Sequence, residues 1–177
     1  MRRRAIIGKS KVSADPNARP EGPGGFKMQI QTTTANEVFT LPTSSGSTYN
    51  ATVLWGDGTY SQVTGHNVNN AKTYTTPGIY NIEIKGTFDM IYFNDTGSKL
   101  LVKKILSWGG TEFIGFTAMN NAFYGCSNLN ELAEGGIKGK SNSSVTNFSY
   151  TFRDCSNLTT LPTDLFRYNT AATSFRY

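Results

Sequence analysis

Two cysteines, one histidine and twelve acidic side chains are the groups in this 177-residue chain that could do chemistry. Their spacing supports little of it. Any nucleophilic triad or histidine–cysteine pair has to use His66, the single histidine. It stands in Thr64-Gly65-His66-Asn67 with no acid nearby in the sequence, which reads as a surface loop. Asp57, Asp89 and Asp95 could bind Ca²⁺, yet no stretch has the ligand spacing of an EF-hand loop, and Asp57 falls in a turn whose backbone its side chain can hold. The acids are not concentrated, so a paired-carboxylate hydrolase site has no candidate pair. Cys126 and Cys155 read as buried thiols that pack as small hydrophobes, with a redox pair or disulfide as the alternative. Trp55 and Trp108 could stack on sugars, but core packing is the preferred reading for both. The expectation is a non-enzymatic protein with no catalytic residue, no cofactor and no metal.

The remaining chemical signal is charge. The formal net charge is +5, and residues 1–25 hold most of it: Arg2, Arg3, Arg4, Lys9, Lys11 and Arg19 against Asp15 and Glu21. Pro16, Pro20 and Pro23, with the glycines from Gly8 to Gly25, preclude a helix or paired strand over most of this stretch. It reads as an extended basic arm that gains order on an acidic partner surface. Nucleic acid is not the expected partner, because no nucleic-acid-binding fold follows the arm. The arginine run is followed by a segment too short and too charged for the apolar core of a secretion signal, so the chain is expected to be made and kept in the cytoplasm until released. No apolar run approaches the ~18 residues of a membrane span.

The elements that would position these groups are strands. Hydrophobic residues make up 37% and charged residues 16%, a balance suited to turn-rich β structure rather than long helices. Phe26–Gln31, Glu37–Leu41 and Tyr80–Lys85 alternate apolar and polar residues, Asn50–Trp55 runs into Gly56-Asp57-Gly58-Thr59, and Phe88–Phe93 closes the region. Asp57-Gly58 predicts a hairpin, and Pro77-Gly78 suits the central pair of a type II turn. About six short strands predict a small sandwich over residues 26–97.

Val53-Leu54-Trp55-Gly56-Asp57-Gly58-Thr59, followed by Tyr74-Thr75-Thr76-Pro77-Gly78-Ile79-Tyr80-Asn81-Ile82, resembles the polycystic-kidney-disease-type (PKD) domain family, with the spacing between tryptophan and glycine shortened. The resemblance covers roughly residues 27–95. It implies an immunoglobulin-like sandwich used as a spacer or interaction module.

Residues 98–177 follow another rule. Met119/Phe148, Phe123/Phe152, Cys126/Cys155, Leu129/Leu158 and Leu132/Leu161 share one spacing, and Cys-Ser-Asn-Leu occurs in both copies. Phe175-Arg176-Tyr177 echoes Phe148-Ser149-Tyr150. A fixed period of this kind predicts a solenoid whose turns bury their apolar faces on one another. The stretch Phe152–Phe166 closely resembles the BspA-like branch of leucine-rich repeats, and Ile105–Gly110 looks like the segment that caps such stacks. That resemblance implies surface-exposed binding repeats, with about two repeats and the start of a longer array here.

The combined expectation is mainly β: an extended N-terminal arm, a small immunoglobulin-like sandwich, then a leucine-rich-type solenoid. The expected role is a virion structural protein, a phage head or tail fibre. Residues 1–25 would dock on a capsid or tail protein, and the distal repeats would meet host surface or glycan. Association of three chains, as in many fibres, is left open. The alternative is a bacterial cell-surface adhesin.

Overall fold

The computed structural model describes residues 24–140 and 145–176. The expected anchor residues Arg2, Arg3, Arg4, Lys9, Lys11 and Arg19 lie outside the described residues. Among those described, the fold is mainly β with no α-helix, and no helix is long and apolar enough to cross a membrane.

Eight strands form two sheets. They are β1 (Phe26–Thr32), β2 (Glu37–Thr40), β3 (Tyr49–Leu54), β4 (Tyr60–Val63), β5 (Ala71–Tyr74), β6 (Gly78–Phe88), β7 (Val102–Trp108) and β8 (Glu131–Leu132). The larger sheet has the order β4-β3-β6-β1-β7-β8, and β2 pairs with β5 in the smaller one. Alternation puts Phe26, Met28, Ile30 and Thr32 of β1 on one buried face. Tyr49, Ala51 and Val53 of β3 and Ile82 and Ile84 of β6 are buried with them, and Phe39 and Tyr74 come from the smaller sheet. Each such burial is worth about 1.5–3 kcal/mol, so this face sets the register.

One turn expectation and one strand expectation need correction. Gly78 does not take the positive φ of a type II turn; it opens β6, paired with Thr32 of β1. Phe88–Phe93 is not a separate sandwich strand. β6 ends at Phe88, and the chain beyond it begins a different arrangement.

From there, successive segments lie side by side, with backbone bonds between residues 26–29 apart in sequence. Phe93 and Asp95 donate N–H to the carbonyls of Ala122 and Tyr124 (3.1 and 3.0 Å). Asn121, Phe123 and Gly125 donate to Ser149, Thr151 and Arg153 (3.0, 2.8 and 2.9 Å). Phe148 and Tyr150 donate to Ser174 and Arg176 (both 2.8 Å). Each segment is a rung, and residues 93–95 are the first. The side chains follow: Phe93 and Phe123 lie 6.3 Å apart, and Phe123 and Phe152 stack at 5.7 Å with planes 5° apart. The backbone repeats as well. Asp95, Gly125 and Asp154 hold equivalent places with φ of 60°, 79° and 56°. In the middle rung a Cβ would lie 2.1 Å from an Asp95 carboxylate oxygen and 3.0 Å from the Asp95 Cα, so glycine avoids displacing Asp95 there.

β7 joins the two arrangements. One edge pairs antiparallel with β1 and the other pairs parallel with β8, through Lys104–Glu131 and Ile105–Leu132. The sheet therefore crosses the expected boundary at residues 97/98. So does the core: Phe26 packs on Trp108, Phe113 and Phe116, and one buried cluster runs from Phe26 to Leu165.

Continuity of this core predicts a single unfolding event. In each of the Trp55→Phe and Trp108→Phe chains, denaturant transitions followed by fluorescence of the remaining tryptophan and by far-ultraviolet circular dichroism should have coincident midpoints. Phe123→Ala should shift both transitions together, at a cost of about 3–5 kcal/mol in unfolding free energy. Separate midpoints would show two independent units.

Candidate functional site

The residues that carry the PKD resemblance build a braced turn. Trp55 N–H donates to the Thr59 carbonyl at 3.0 Å, closing the loop between β3 and β4. Asp57 sits at its tip. One carboxylate oxygen accepts the Thr59 N–H (3.0 Å) and hydroxyl (2.6 Å); the other pairs with Lys72 Nζ of β5 at 2.7 Å. Lys72 also donates to the Thr59 hydroxyl at 2.8 Å. The turn of the larger sheet is thus tied to the smaller sheet. Burial disfavours the Asp57 charge, but the hydrogen bonds from Lys72 and Thr59 override it and hold the carboxyl at about 2. Beneath the turn, Tyr74 Oη donates to the Trp55 carbonyl at 2.8 Å, and burial pushes the Tyr74 phenol up. The Asp57 carboxylate, the Lys72 ammonium and the Tyr74 hydroxyl are thus all engaged in holding the turn.

The other candidates are also placed. His66 is exposed; its Nδ1 lies 3.0 Å from the Thr43 hydroxyl and its Nε2 3.0 Å from the Asn67 amide, with no acid beside it. Asp89 accepts the Thr48 N–H at 3.1 Å, and its second oxygen lies 3.8 Å from Lys140 Nζ. Asp95 pairs with Lys99. Asp57, Asp89 and Asp95 are not brought together, and among the described residues no three His, Cys, Asp or Glu side chains form a metal-binding group. Trp55 and Trp108 are 1% and 3% exposed, so neither offers a face to a sugar.

Cys126 and Cys155 are free buried thiols in adjacent rungs. Cys155 Sγ donates to the Phe123 carbonyl at 3.1 Å. Burial raises both thiols, Cys155 to about 12, so neither supplies a thiolate at neutral pH.

The arrangement most suited to binding was not singled out from the sequence. Arg153 stands between two tyrosines, its guanidinium carbon 5.2 Å from the ring centroids of both Tyr124 and Tyr150. The Arg153 side chain is 46% exposed and reaches Asp154 at 3.9 Å. Tyr150 holds a left-handed backbone, φ 59°, where the preceding rung has Asn121 at 55°. Asparagine tolerates that region; tyrosine adopts it at a cost of about 1 kcal/mol. Ring faces and guanidinium donors side by side can stack on a flat apolar face while bonding to hydroxyls or a carboxylate. The available signal was the repeat alignment, which sets Tyr124 opposite Arg153.

Comparison of the chain with family models, curated proteins and solved structures finds no match.

The Asp57 brace makes a pH prediction. Its carboxyl ionises at about 2 in the fold and near 3.8 ordinarily, so its contribution is complete above pH 4 and is lost as pH falls toward 2. With solvent screening this amounts to about 1 kcal/mol. Asp57→Asn should lower the midpoint of thermal unfolding at pH 7 and remove that part of the acid dependence; an unchanged acid profile would refute the brace.

Proposed function

We propose that this protein is a non-enzymatic virion structural protein, a component of a phage head or tail fibre. The observation that carries the reading is the continuity of β7 and the core across residues 97/98. A stalk must hold a display surface at a fixed angle, and a shared sheet with a shared aromatic core supplies that rigidity without a linker. In this reading residues 26–97 are the PKD-type, immunoglobulin-like sandwich. The rungs are the first turns of a BspA-like leucine-rich solenoid, each bonded to the next through its backbone.

The arm is the mount. Arg2, Arg3, Arg4, Lys9, Lys11 and Arg19 pair with acids on a capsid or tail protein. The repeats are the display surface. Tyr124, Arg153 and Tyr150 offer stacking faces and guanidinium donors suited to host glycans, and weak single contacts gain strength from many copies on one particle.

Immunogold labelling with antibody to residues 26–177, applied to purified particles and to intact host cells, tests the assignment. Regular gold on capsids or tails is expected, and substitution of all six arm cations by serine should strip it while the chain stays folded. Gold on cell envelopes with bare particles would make the protein a bacterial adhesin. Full occupancy by the serine variant would refute the anchor.

A further inference from the structure

The ladder leaves one strand edge open. Asn130 N–H donates to the Lys103 carbonyl at 2.9 Å, and the pairing continues through Lys104–Glu131 and Ile105–Leu132. Successive residues of a strand direct their N–H and C=O to opposite sides. Asn130 faces β7, so Glu131 and Ala133 direct theirs away from it. The next repeat does not meet them. It is bonded before this point, Asn157 to Ser127 at 3.3 Å, and after it, Ile137 to Leu165 at 2.7 Å. Among the described residues no backbone bond joins 130–134 to 160–163. Pro162, one repeat beyond Ala133, has no N–H to give, and the Ala133 carbonyl is taken by the Trp108 indole at 2.9 Å. The Glu131 N–H and carbonyl and the Ala133 N–H are what the edge still offers.

A groove of about 470 Å³ lies between β8 and residues 160–163. Part of its wall is apolar. The column Ile105, Leu132, Leu161 goes from 1% to 7% to 53% exposed. The rest is polar and acidic: Glu131 and Glu134 border the groove, and its lining holds no basic residue. Glu131 meets Lys104 of β7, yet its side chain is still 56% exposed. Glu134 is exposed and has no ion pair among the described residues. Just beyond the lining, one Asp164 oxygen accepts the Gly135 N–H at 3.0 Å and lies 3.8 Å from Arg167. The other Asp164 oxygen is buried without a hydrogen-bond partner among the described residues.

An open edge is satisfied by a second extended backbone, which brings a carbonyl for each outward N–H and an N–H for the outward carbonyl. An apolar small molecule would leave those groups unmet in a drier setting, at a cost. An acidic segment would be set against two glutamates, whereas a basic one gains from both. The rungs rejoin on either side, so the pairing is short. A segment set against residues 130–134 spans roughly 17 Å, about five residues.

We propose that the outer edge of β8 is a docking site for an extended basic segment of a partner protein. The segment adds as a strand, packs one apolar side chain on Leu161 and sets its cations beside Glu131 and Glu134. This surface is separate from the Tyr124–Arg153–Tyr150 cluster, and the inference stands whether or not the protein belongs to a virion.

Titration of the isotope-labelled full-length chain with the blocked peptide Lys-Thr-Lys-Val-Lys-Thr-Lys, followed by backbone amide shifts, tests it. Saturable shifts are expected at residues 130–134 and 160–163. Replacing the peptide lysines by glutamate should weaken binding at least tenfold. N-methylating alternate peptide residues should abolish binding in one register and spare it in the other, because only one set of N–H groups faces β8. The variant Glu131→Gln/Glu134→Lys, which also frees Lys104, should prefer the glutamate peptide, a reversal that a disturbed fold could not produce. Equal binding of the two peptides, indifference to both methylation registers, shifts confined to other residues, or no binding at millimolar peptide overturns the proposal.

Discussion

Backbone pairing on both edges of β7 is the constraint on which the rest of the molecule hangs. A strand that ends a sheet exposes a row of unsatisfied donors and acceptors. Here the row that would end the antiparallel β1–β6 assembly is taken by β8 in parallel. The parallel direction then forces the chain to travel out and back before each new pairing, which is what a repeat of nearly 30 residues accomplishes. Phe26, at the start of β1, lies against Trp108, Phe113 and Phe116, so the side chains seal the same joint that the backbone makes.

The first rung explains why the joint needs no linker. Gly86, within β6, pairs with Ala51 on one side and bridges Phe113 in parallel on the other. Its φ is 95°, and a Cβ there would lie 2.6 Å from the Asn50 carbonyl oxygen. The strand thus begins to serve the ladder before it has left the sheet. Phe93 continues that service by standing under Phe123. The apolar face that a repeat stack would otherwise leave open is closed by residues that also belong to the first core.

Much of this was legible in the residue pattern. Strict alternation in Phe26–Gln31 and Tyr80–Lys85 reports strands with one buried face, and β1 and β6 contain those stretches. The identical Cys-Ser-Asn-Leu tetrapeptides mark the two repeats. The first rung was hidden for a physical reason. Phe88, Asp89, Met90, Ile91 and Phe93 are all buried, so the stretch loses the alternation that distinguishes one face from two. It shares only short matches with the later repeats, Phe-x-Asp in Phe93-Asn94-Asp95 and Phe152-Arg153-Asp154 and then Ser-x-Leu in Ser98-Lys99-Leu100 and Ser127-Asn128-Leu129. The boundary at 97/98 was drawn where the motif type changes, but hydrogen bonds of β7 ignore motif type. The arginine–tyrosine cluster was illegible because Tyr124, Tyr150 and Arg153 meet only once the rungs are stacked.

The opening beside β8 follows from a conflict between two periodicities. The apolar repeat asks Leu161 to continue the column of Ile105 and Leu132, which would bring residues 160–163 onto the edge of β8. Backbone chemistry refuses it. Pro162 has no hydrogen to give, and the Ala133 carbonyl opposite it is already engaged by the Trp108 indole. Closing the ladder would hide an exposed leucine but would form no backbone bond between residues 133 and 162, because one has no donor and the other's acceptor is in use. The rungs stay apart there and rejoin where the Ile137 N–H reaches the Leu165 carbonyl. Side-chain periodicity and backbone pairing thus part company at the one position where the repeat places a proline.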